Sequence, residues 1–184
     1  MDEAALFASE VAPLEHAVAK VRRQSGAARI VARTLLGTLG LPLMPVLKTQ
    51  SGVPIWPPGI VGSLAHHDTV AAAAIAEKKA IRALGIDIEP NKALPDELID
   101  LVATSREKTI YDSHLLRRRT LFVLKEAVYK AYFPLSNENL DFQEVEIDID
   151  SKVGYVPKAN CRFSIELYNS ENLIGLAYIT GAEH

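Results

Sequence analysis

Two acidic residues in the stretch LGIDIEP, residues 84–90, have a spacing that suits the binding of a divalent cation. Successive side chains of a β-strand alternate between its two faces, so Asp87 and Glu89 share one face and the apolar residues share the other. Hard cations such as Mg²⁺ favour clustered carboxylate oxygens. A half-exposed strand with one hydrated face explains the same alternation, so a metal site requires a third ligand.

A third carboxylate and a cation occur in LFVLKEAVYKAYFP, residues 121–134. Glu126 and Lys130 are four residues apart, about 40° around a helix axis, and therefore point to the same side. Exposed Glu–Lys pairs at this spacing are common on helix surfaces, so the pair alone indicates no function. Beside Asp87 and Glu89 it would complete a set that holds a pyrophosphate through Mg²⁺, with the lysine neutralising the leaving phosphate. The same helix has an apolar stripe formed by Leu121, Leu124, Val128 and Ala131.

Elements of both types must position these side chains. The first part of the chain is predicted to contain a helix over about Pro13–Leu39 interrupted near Ser25-Gly26, a Pro- and Gly-rich loop over 41–62, and strands near Val70–Ala76 and Ala83–Glu89. The second part is predicted to contain a short helix from about Asp96, a longer helix over about Ser113–Tyr132 closed by Pro134, and strands near Glu144–Ile149, Arg162–Tyr168 and Leu173–Thr180.

Helices followed by strands, twice along the chain, indicate an α+β protein built from two similar halves. We expect one functional unit over residues 1–184, with an N-terminal half of about 1–92 and a C-terminal half of about 93–184. The two halves are expected to be related by a pseudo-twofold axis. The predicted metal ligands come from both sides of the turn PNKALP, residues 90–95, so the active cleft is expected between the halves.

Composition narrows the classes of protein that need to be considered. Hydrophobic residues make up 48% of the 184 residues and charged residues 23%, which is ordinary globular usage. The net charge of −3 gives no general attraction to nucleic acid or to anionic membranes, and no apolar stretch is long enough to span a bilayer. A single cysteine, Cys161, and an acidic start fit a reducing compartment, so we expect a cytoplasmic protein.

The two motifs together resemble a known enzyme family. The GIDIE strand followed by KEAVYK is similar to the 4'-phosphopantetheinyl transferases, in the larger monomeric group typified by the surfactin and enterobactin enzymes. The stretch WPPGIVGSLAHHD, residues 56–68, and RRQSGAARIVARTLLGTLGLP, residues 22–42, also resemble that group. The resemblance covers about Leu6 to Thr180.

The resemblance implies an activity and a set of roles. Such an enzyme transfers 4'-phosphopantetheine from coenzyme A to a serine of an acyl- or peptidyl-carrier protein, depends on Mg²⁺, releases 3',5'-ADP and acts as a monomer. Asp87, Glu89 and Glu126 would be the metal ligands, and Asp87, Glu126 and Lys130 the catalytic residues. Glu126 would accept the proton of the attacking serine. Lys130 would bind coenzyme A and balance charge on the departing 3',5'-ADP.

The resemblance also implies coenzyme-binding residues in the first half. Ser63 and His66 match the family's phosphate-binding stretch. Arg29 and Arg33 match the arginines that bind the 3'-phosphate, a role that suits a guanidinium group. The sequence departs from the family at Val53, where a lysine is usual.

Other interpretations stay open at this point. The protein could be a transferase-like module that binds coenzyme A or a carrier protein with little turnover, or an unrelated Mg²⁺-dependent phosphate enzyme such as a nuclease. EVEIDID, residues 144–150, is interpreted as a hydrated strand face, and HHD, residues 66–68, as a poor zinc site because adjacent residues point apart. LLRRR, residues 115–119, is interpreted as a charged helix face or part of a carrier-protein surface.

Overall fold

A computed structural model describes residues 6–11, 18–68, 70–111 and 115–181. The helices are α1 (Ala8–Val11), α2 (Ala19–Thr38), α3 (Asp96–Val102), α4 (Ser105–Tyr111) and α5 (Leu115–Ser136). The strands are β1 (Ile60–His67), β2 (Val70–Glu77), β3 (Ile81–Pro90), β4 (Glu146–Asp148), β5 (Val153–Val156), β6 (Cys161–Asn169) and β7 (Asn172–Thr180). None of the helices in these ranges is long and apolar enough to cross a membrane.

The strands form two antiparallel sheets of unequal size. β1 and β2 make a two-stranded sheet, and the other strands make a five-stranded sheet in the order β3-β7-β6-β5-β4. β3 therefore pairs with the last strand, with Asp87 opposite Gly175. The two-stranded sheet ends with β2, and β3 already belongs to the other sheet, so the sheets divide the chain before the expected boundary near residue 92. That boundary stays a prediction.

Three apolar clusters hold the two sheets and the long helices together. α5 packs on the five-stranded sheet, and its predicted stripe of Leu121, Leu124, Val128 and Ala131 is buried there. α2 packs on β1 and β2 through Ala32, Leu36 and Ile60. The third cluster joins β1 to β3 through Ala65, Ile86 and Ile88. This last contact sets the end of β1 beside the strand that carries the two acids.

Both long helices differ from their predicted limits. α2 continues through Ser25 and Gly26 because both are buried, and a Cβ on Gly26 would lie 3.1 Å from the Leu6 side chain, so small size favours packing over a break. α5 continues past Pro134 to Ser136, and Asn137 in the left-handed conformation closes it by donating to the Phe133 carbonyl at 2.8 Å. The predicted helix starts at Pro13 and Ser113 lie outside the described residues.

Four of the described helices and strands were missed in the sequence, namely α1, β1, α4 and β5. β1 occupies residues 60–67, so the predicted loop over 41–62 is wrong at its end. β1 lacks the regular alternation of buried and exposed residues by which a half-exposed strand is recognised. α4 and β5 have seven and four residues, too few for a clear periodic pattern.

A buried ion pair fixes α4 against α5 one residue before Glu126. The Lys125 ammonium lies 2.7 Å from Glu107, and the two side chains are 0% and 3% exposed. Lys125 also donates to the carbonyls of Val102 and Phe142, at 2.8 and 2.9 Å. Burial lowers the pKa of Lys125, although Glu107 opposes that shift. Lys125, the first residue of the motif KEAVYK, therefore has a structural role.

Replacement of Lys125 by methionine should destabilise the protein strongly, because Glu107 would keep a buried charge without the cation that now lies against it. We expect a loss of about 3–5 kcal/mol in the free energy of unfolding, measured by urea denaturation. Lys79→Met is the matched control, since Lys79 and Glu77 form a pair at 2.9 Å that is 79% and 51% exposed. Similar denaturation midpoints for both variants would contradict the assignment.

Candidate active site

The site depends on a close contact between the backbones of α5 and β3. A Cβ on Gly85 would lie 2.0 Å from the Ala127 carbonyl oxygen and 2.7 Å from the Ala131 amide nitrogen. Such distances are far inside van der Waals contact, so only glycine allows the helix to cross the strand here. The crossing brings the helix residues Glu126 and Lys130 toward the acids of β3.

Asp87 is buried and holds the Lys130 ammonium. Lys130 donates to Oδ1 of Asp87 at 2.6 Å, and Asp87 is only 7% exposed. Oδ2 of Asp87 is buried with no hydrogen-bond partner among the described residues. Burial raises the pKa of Asp87, and the nearby Lys130 only partly offsets this. One oxygen of this carboxylate is thus available to a ligand.

The other two acids are each influenced by Asp87. Glu89 accepts a hydrogen bond from Arg119 at 2.8 Å, and its other oxygen lies 3.7 Å from Nδ1 of His67. Burial and then the charge of Asp87 raise the pKa of Glu89. Burial, Asp87 and Glu89 raise the pKa of Glu126, against the opposing effect of Lys130. The three predicted ligands therefore share one electrostatic environment.

The acidic cluster has more carboxylates than cations. Three carboxylates face two cations: Lys130 pairs with Asp87 and Arg119 pairs with Glu89, while Glu126 has no ion pair in the described part of the chain. The ionised set carries one surplus negative charge, in a place where burial makes such charge costly. Its all-oxygen donors suit Mg²⁺, so the residues fit such an ion. They are not a preformed cage, because no three His, Cys, Asp or Glu groups in the described ranges are already arranged to hold a metal.

A cavity of about 280 Å³ lies on the other side of Lys130. The charged, polar and aromatic residues that line it include Lys48, Ser63, His66, Tyr129, Lys130 and Phe133. Ser63 and His66 come from β1, and the aromatic residues come from α5. Lys130 thus belongs to both the cavity and the acidic cluster. Ser63, His66 and Lys130 line one cavity, and their role in binding coenzyme A stays a prediction.

Positive charge accumulates in this cavity. Burial and the charges of Lys130 and Lys48 lower the pKa of His66. Burial and the charges of Arg29 and Lys130 lower the pKa of Lys48, and Lys48 forms no ion pair with a described carboxylate. Lys130 is paired with Asp87, whereas Lys48 has no described carboxylate partner, so the cavity carries positive charge that a bound anion would offset.

Lys48 is a cavity residue that the sequence analysis did not name. It forms an isolated β-bridge with Pro54, and the turn between them is closed by a hydrogen bond from the Thr49 amide to the Val53 carbonyl at 2.8 Å. Lys48 and Val53 line the same cavity. A lysine is thus present in the cavity beside Val53, and a binding role for Lys48 stays a prediction.

The two predicted phosphate-binding arginines lie elsewhere. Arg33 is buried and donates to both oxygens of Glu10, at 2.7 and 2.5 Å. Arg29 is 2% exposed and donates to the Val46 carbonyl at 2.9 Å and to the carbonyl and hydroxyl of Ser25. The geometry does not meet the expectation that Arg33 faces the cavity. Arg29 affects the cavity through its charge, which helps to lower the pKa of Lys48. A role for Arg29 in binding stays a prediction.

The other charged motifs have structural partners. Arg117, Arg118 and Arg119 lie 3.8, 3.1 and 2.8 Å from Asp150, Asp96 and Glu89, which argues against a free basic surface for a partner. Glu146 and Asp148 lie on the edge strand β4, away from the cavity. His66 lines the cavity while His67 faces Glu89, so the two point apart as expected.

Comparison with known proteins agrees with the motifs and the geometry. Residues 9–76 match the 4'-phosphopantetheinyl transferase N-terminal domain, and residues 83–174 match the 4'-phosphopantetheinyl transferase superfamily. The chain belongs to this superfamily, and the expected α+β class and family fold are confirmed.

Three relatives are named 4'-phosphopantetheinyl transferase. Npt of Nocardia iowensis is 41% identical over 160 residues, covering 83% of this chain and 72% of the relative. Svp of Streptomyces mobaraensis is 39% identical over 155 residues, covering 81% and 63%. PptT of Mycobacterium tuberculosis is 38% identical over 147 residues, covering 77% and 65%. The matched part is less than two thirds of the length of Svp and PptT.

The cavity electrostatics predict the titration of His66. Because burial and two lysines disfavour its charged form, its pKa should lie below the ordinary 6.5, and Lys48→Met should move it upward. Because the pKa of His66 is lower in the folded than in the unfolded chain, its contribution to the free energy of unfolding is fully present above the unfolded pKa. That contribution is lost as the pH falls through the folded pKa. Imidazole chemical shifts followed by NMR against pH measure it. Lys158→Met, at an exposed lysine paired with Glu144, should leave His66 unchanged. A midpoint at or above 6.5 would contradict the account.

Proposed function

We propose that this chain transfers the 4'-phosphopantetheine group of coenzyme A to a serine of an acyl- or peptidyl-carrier protein, in a Mg²⁺-dependent reaction that releases 3',5'-ADP. The observation that carries the proposal is the position of Lys130. Its ammonium contacts Asp87 in the acidic cluster, and its side chain lines the cationic cavity. A substrate that carries both a pyrophosphate and a nucleotide base suits this arrangement, with the pyrophosphate near the acidic cluster and the nucleotide in the cavity.

The cavity supports binding of the nucleotide end of coenzyme A. Lys48, His66 and Lys130 supply cationic groups for phosphate, and the buried Ser63 supplies a hydroxyl. Tyr129 and Phe133 give aromatic surface for a base, with ring centroids 5.7 Å apart. Phosphate bound here raises the pKa of His66, so binding favours the protonated imidazole and a charge-assisted contact.

The acidic cluster supports the metal requirement. Asp87, Glu89 and Glu126 would hold Mg²⁺, with Oδ2 of Asp87 as the buried acceptor that no described residue uses. When bound, the ion supplies positive charge to the pyrophosphate oxygens and so makes the phosphorus accessible to a hydroxyl.

The chain's own residues account for the proton and the leaving group. The serine hydroxyl attacks the β-phosphate, a new O–P bond forms, and the P–O bond to 3',5'-ADP breaks. Glu126 takes the serine proton, directly or through a water molecule. Lys130 has three N–H donors, of which Asp87 uses one, and the others balance charge on the departing 3',5'-ADP.

A second candidate is a transferase-like protein that binds coenzyme A or a carrier protein with little turnover. Two observations favour it: Arg29 and Arg33 make their hydrogen bonds to protein groups, and the acids are not preassembled around an ion in the described ranges. Incubation with coenzyme A, Mg²⁺ and a panel of apo-carrier proteins distinguishes the two. A mass increase of the carrier by one phosphopantetheine supports the transferase, whereas coenzyme binding without that increase supports the second candidate.

The residues on which the proposal rests all come from one chain. We therefore infer that a monomer is sufficient, with no contribution from a membrane or a nucleic acid. The single cysteine, Cys161, is free and partly buried, which suits the reducing cytoplasm where coenzyme A and carrier proteins meet.

Loss of either central carboxylate should abolish transfer without unfolding the protein. Asp87→Asn and Glu126→Gln each remove a charge that the reaction uses, so we expect holo-carrier formation to fall roughly a hundredfold or more. The measurement is intact mass spectrometry of the carrier protein, with a thermal melt of each variant.

Asp148→Asn is the matched control for these variants. Asp148 lies on β4, and its two oxygens accept hydrogen bonds from the amide and the hydroxyl of Ser151, both at 2.9 Å. An asparagine oxygen can still accept from the amide, and the asparagine NH₂ group can donate to the hydroxyl. Its activity should equal that of the wild type. Asp87→Asn with full activity, or with activity lost only through unfolding, would refute the proposed role of the acidic cluster.

A further inference from the structure

Arg119 is the residue that links α5 to the far end of β3. It lies seven residues before Glu126, about 20° short of two full helical turns, so both side chains project from one side of α5. Glu126 and Lys130 continue the same side of the helix. The order along α5 is thus a cation, a carboxylate and a second cation, facing the two acids of β3.

The contacts of Arg119 differ from those of its neighbours. Its guanidinium donates to Oε2 of Glu89 at 2.8 Å, to the Ala93 carbonyl at 3.1 Å and to the Lys92 carbonyl at 3.4 Å. The side chains of Arg119 and Glu89 are 14% and 17% exposed, whereas the acids that pair with Arg117 and Arg118 are 74% and 86% exposed. A half-buried pair is screened less by water than an exposed pair and holds its geometry better.

These contacts determine which part of Glu89 is available to a cation. Oε2 is held by Arg119, so Oε1 is the freer oxygen, and His67 lies 3.7 Å from it. The two carbonyl contacts fix the turn that follows β3 at the same time. A planar guanidinium with five donors can make these contacts together, and a lysine ammonium on a flexible stem cannot reproduce that arrangement.

We propose that Arg119 is a positioning residue that holds Glu89 opposite Glu126, so that Glu89 offers a single oxygen to the cation. This inference rests on the proposed function, because it concerns the metal ligands of that site. The alternative role for Arg119 is a plain counter-ion that lowers the negative charge of the cluster. The two roles predict different effects of a substitution that keeps the charge.

The test is the affinity for Mn²⁺, measured by electron paramagnetic resonance of the free ion with coenzyme A present and corrected for the ion that coenzyme A binds alone. As a positioning residue, Arg119 cannot be replaced: Arg119→Lys and Arg119→Gln should each weaken Mn²⁺ binding about tenfold. A plain counter-ion predicts wild-type affinity for Arg119→Lys and tighter binding for Arg119→Gln, and either of these results would overturn the inference.

Arg118→Lys is the matched control, one residue away on the same helix and paired with the exposed Asp96. It should bind Mn²⁺ like the wild type, and an equal loss in this variant would overturn the specific role of Arg119. A wild-type chain that binds Mn²⁺ while Arg119→Lys is unaffected refutes only this inference. A wild-type chain that binds no Mn²⁺ refutes the metal-dependent function as well.

A second variant tests whether Arg119 acts through Glu89 and stays informative if Arg119→Lys folds poorly. Glu89→Gln alone should weaken Mn²⁺ binding by at least as much as Arg119→Lys, because the positioned ligand is itself removed. Adding Arg119→Lys to Glu89→Gln should then cause no further loss. Unchanged affinity in Glu89→Gln, or a further loss of about tenfold in the double variant, would overturn the inference.

Discussion

The contact between the backbones of α5 and β3 at Gly85 determines the rest of the site. The strand carries Asp87 and Glu89, and the helix carries Arg119, Glu126 and Lys130. Helix and sheet normally pack through side chains, which would leave these groups too far apart for direct ion pairs. With no Cβ in the way, the helix backbone lies against the strand, and Lys130 reaches Asp87 at 2.6 Å.

Close packing also explains the electrostatics. The acids are desolvated by the elements that hold them, so burial is the first cause of the raised pKa of Asp87, Glu89 and Glu126. Two cations from α5 compensate two of the acids and leave one charge over. Lys130 also lines the cavity that holds Lys48 and His66, and burial together with its charge lowers the pKa of both. An acidic cluster therefore adjoins a cationic one, which is the arrangement that a metal-bound pyrophosphate requires.

Much of this arrangement could be predicted from the sequence. Alternation in GIDIE and the four-residue spacing of Glu126 and Lys130 are local periodicities, so they fix which side chains share a face. Lys48 and the pairing of Glu89 with Arg119 could not be predicted in this way. They depend on how a loop folds onto a strand and on a helix–strand register, and neither has a period. Arg33 shows the converse, because its motif indicated a phosphate ligand but the buried Glu10 occupies it.

The most direct test of the central contact is the free energy of unfolding of Gly85→Ala. A methyl group 2.0 Å from the Ala127 carbonyl would force α5 away from β3, and we expect a loss of about 1–3 kcal/mol. Gly37→Ala in α2 is the matched control, because a methyl group there would meet nothing within 4 Å among the described residues outside its own stretch of helix. Alanine at this position should stabilise the helix slightly. If Gly85→Ala were as stable as Gly37→Ala, the contact would not be what assembles the site.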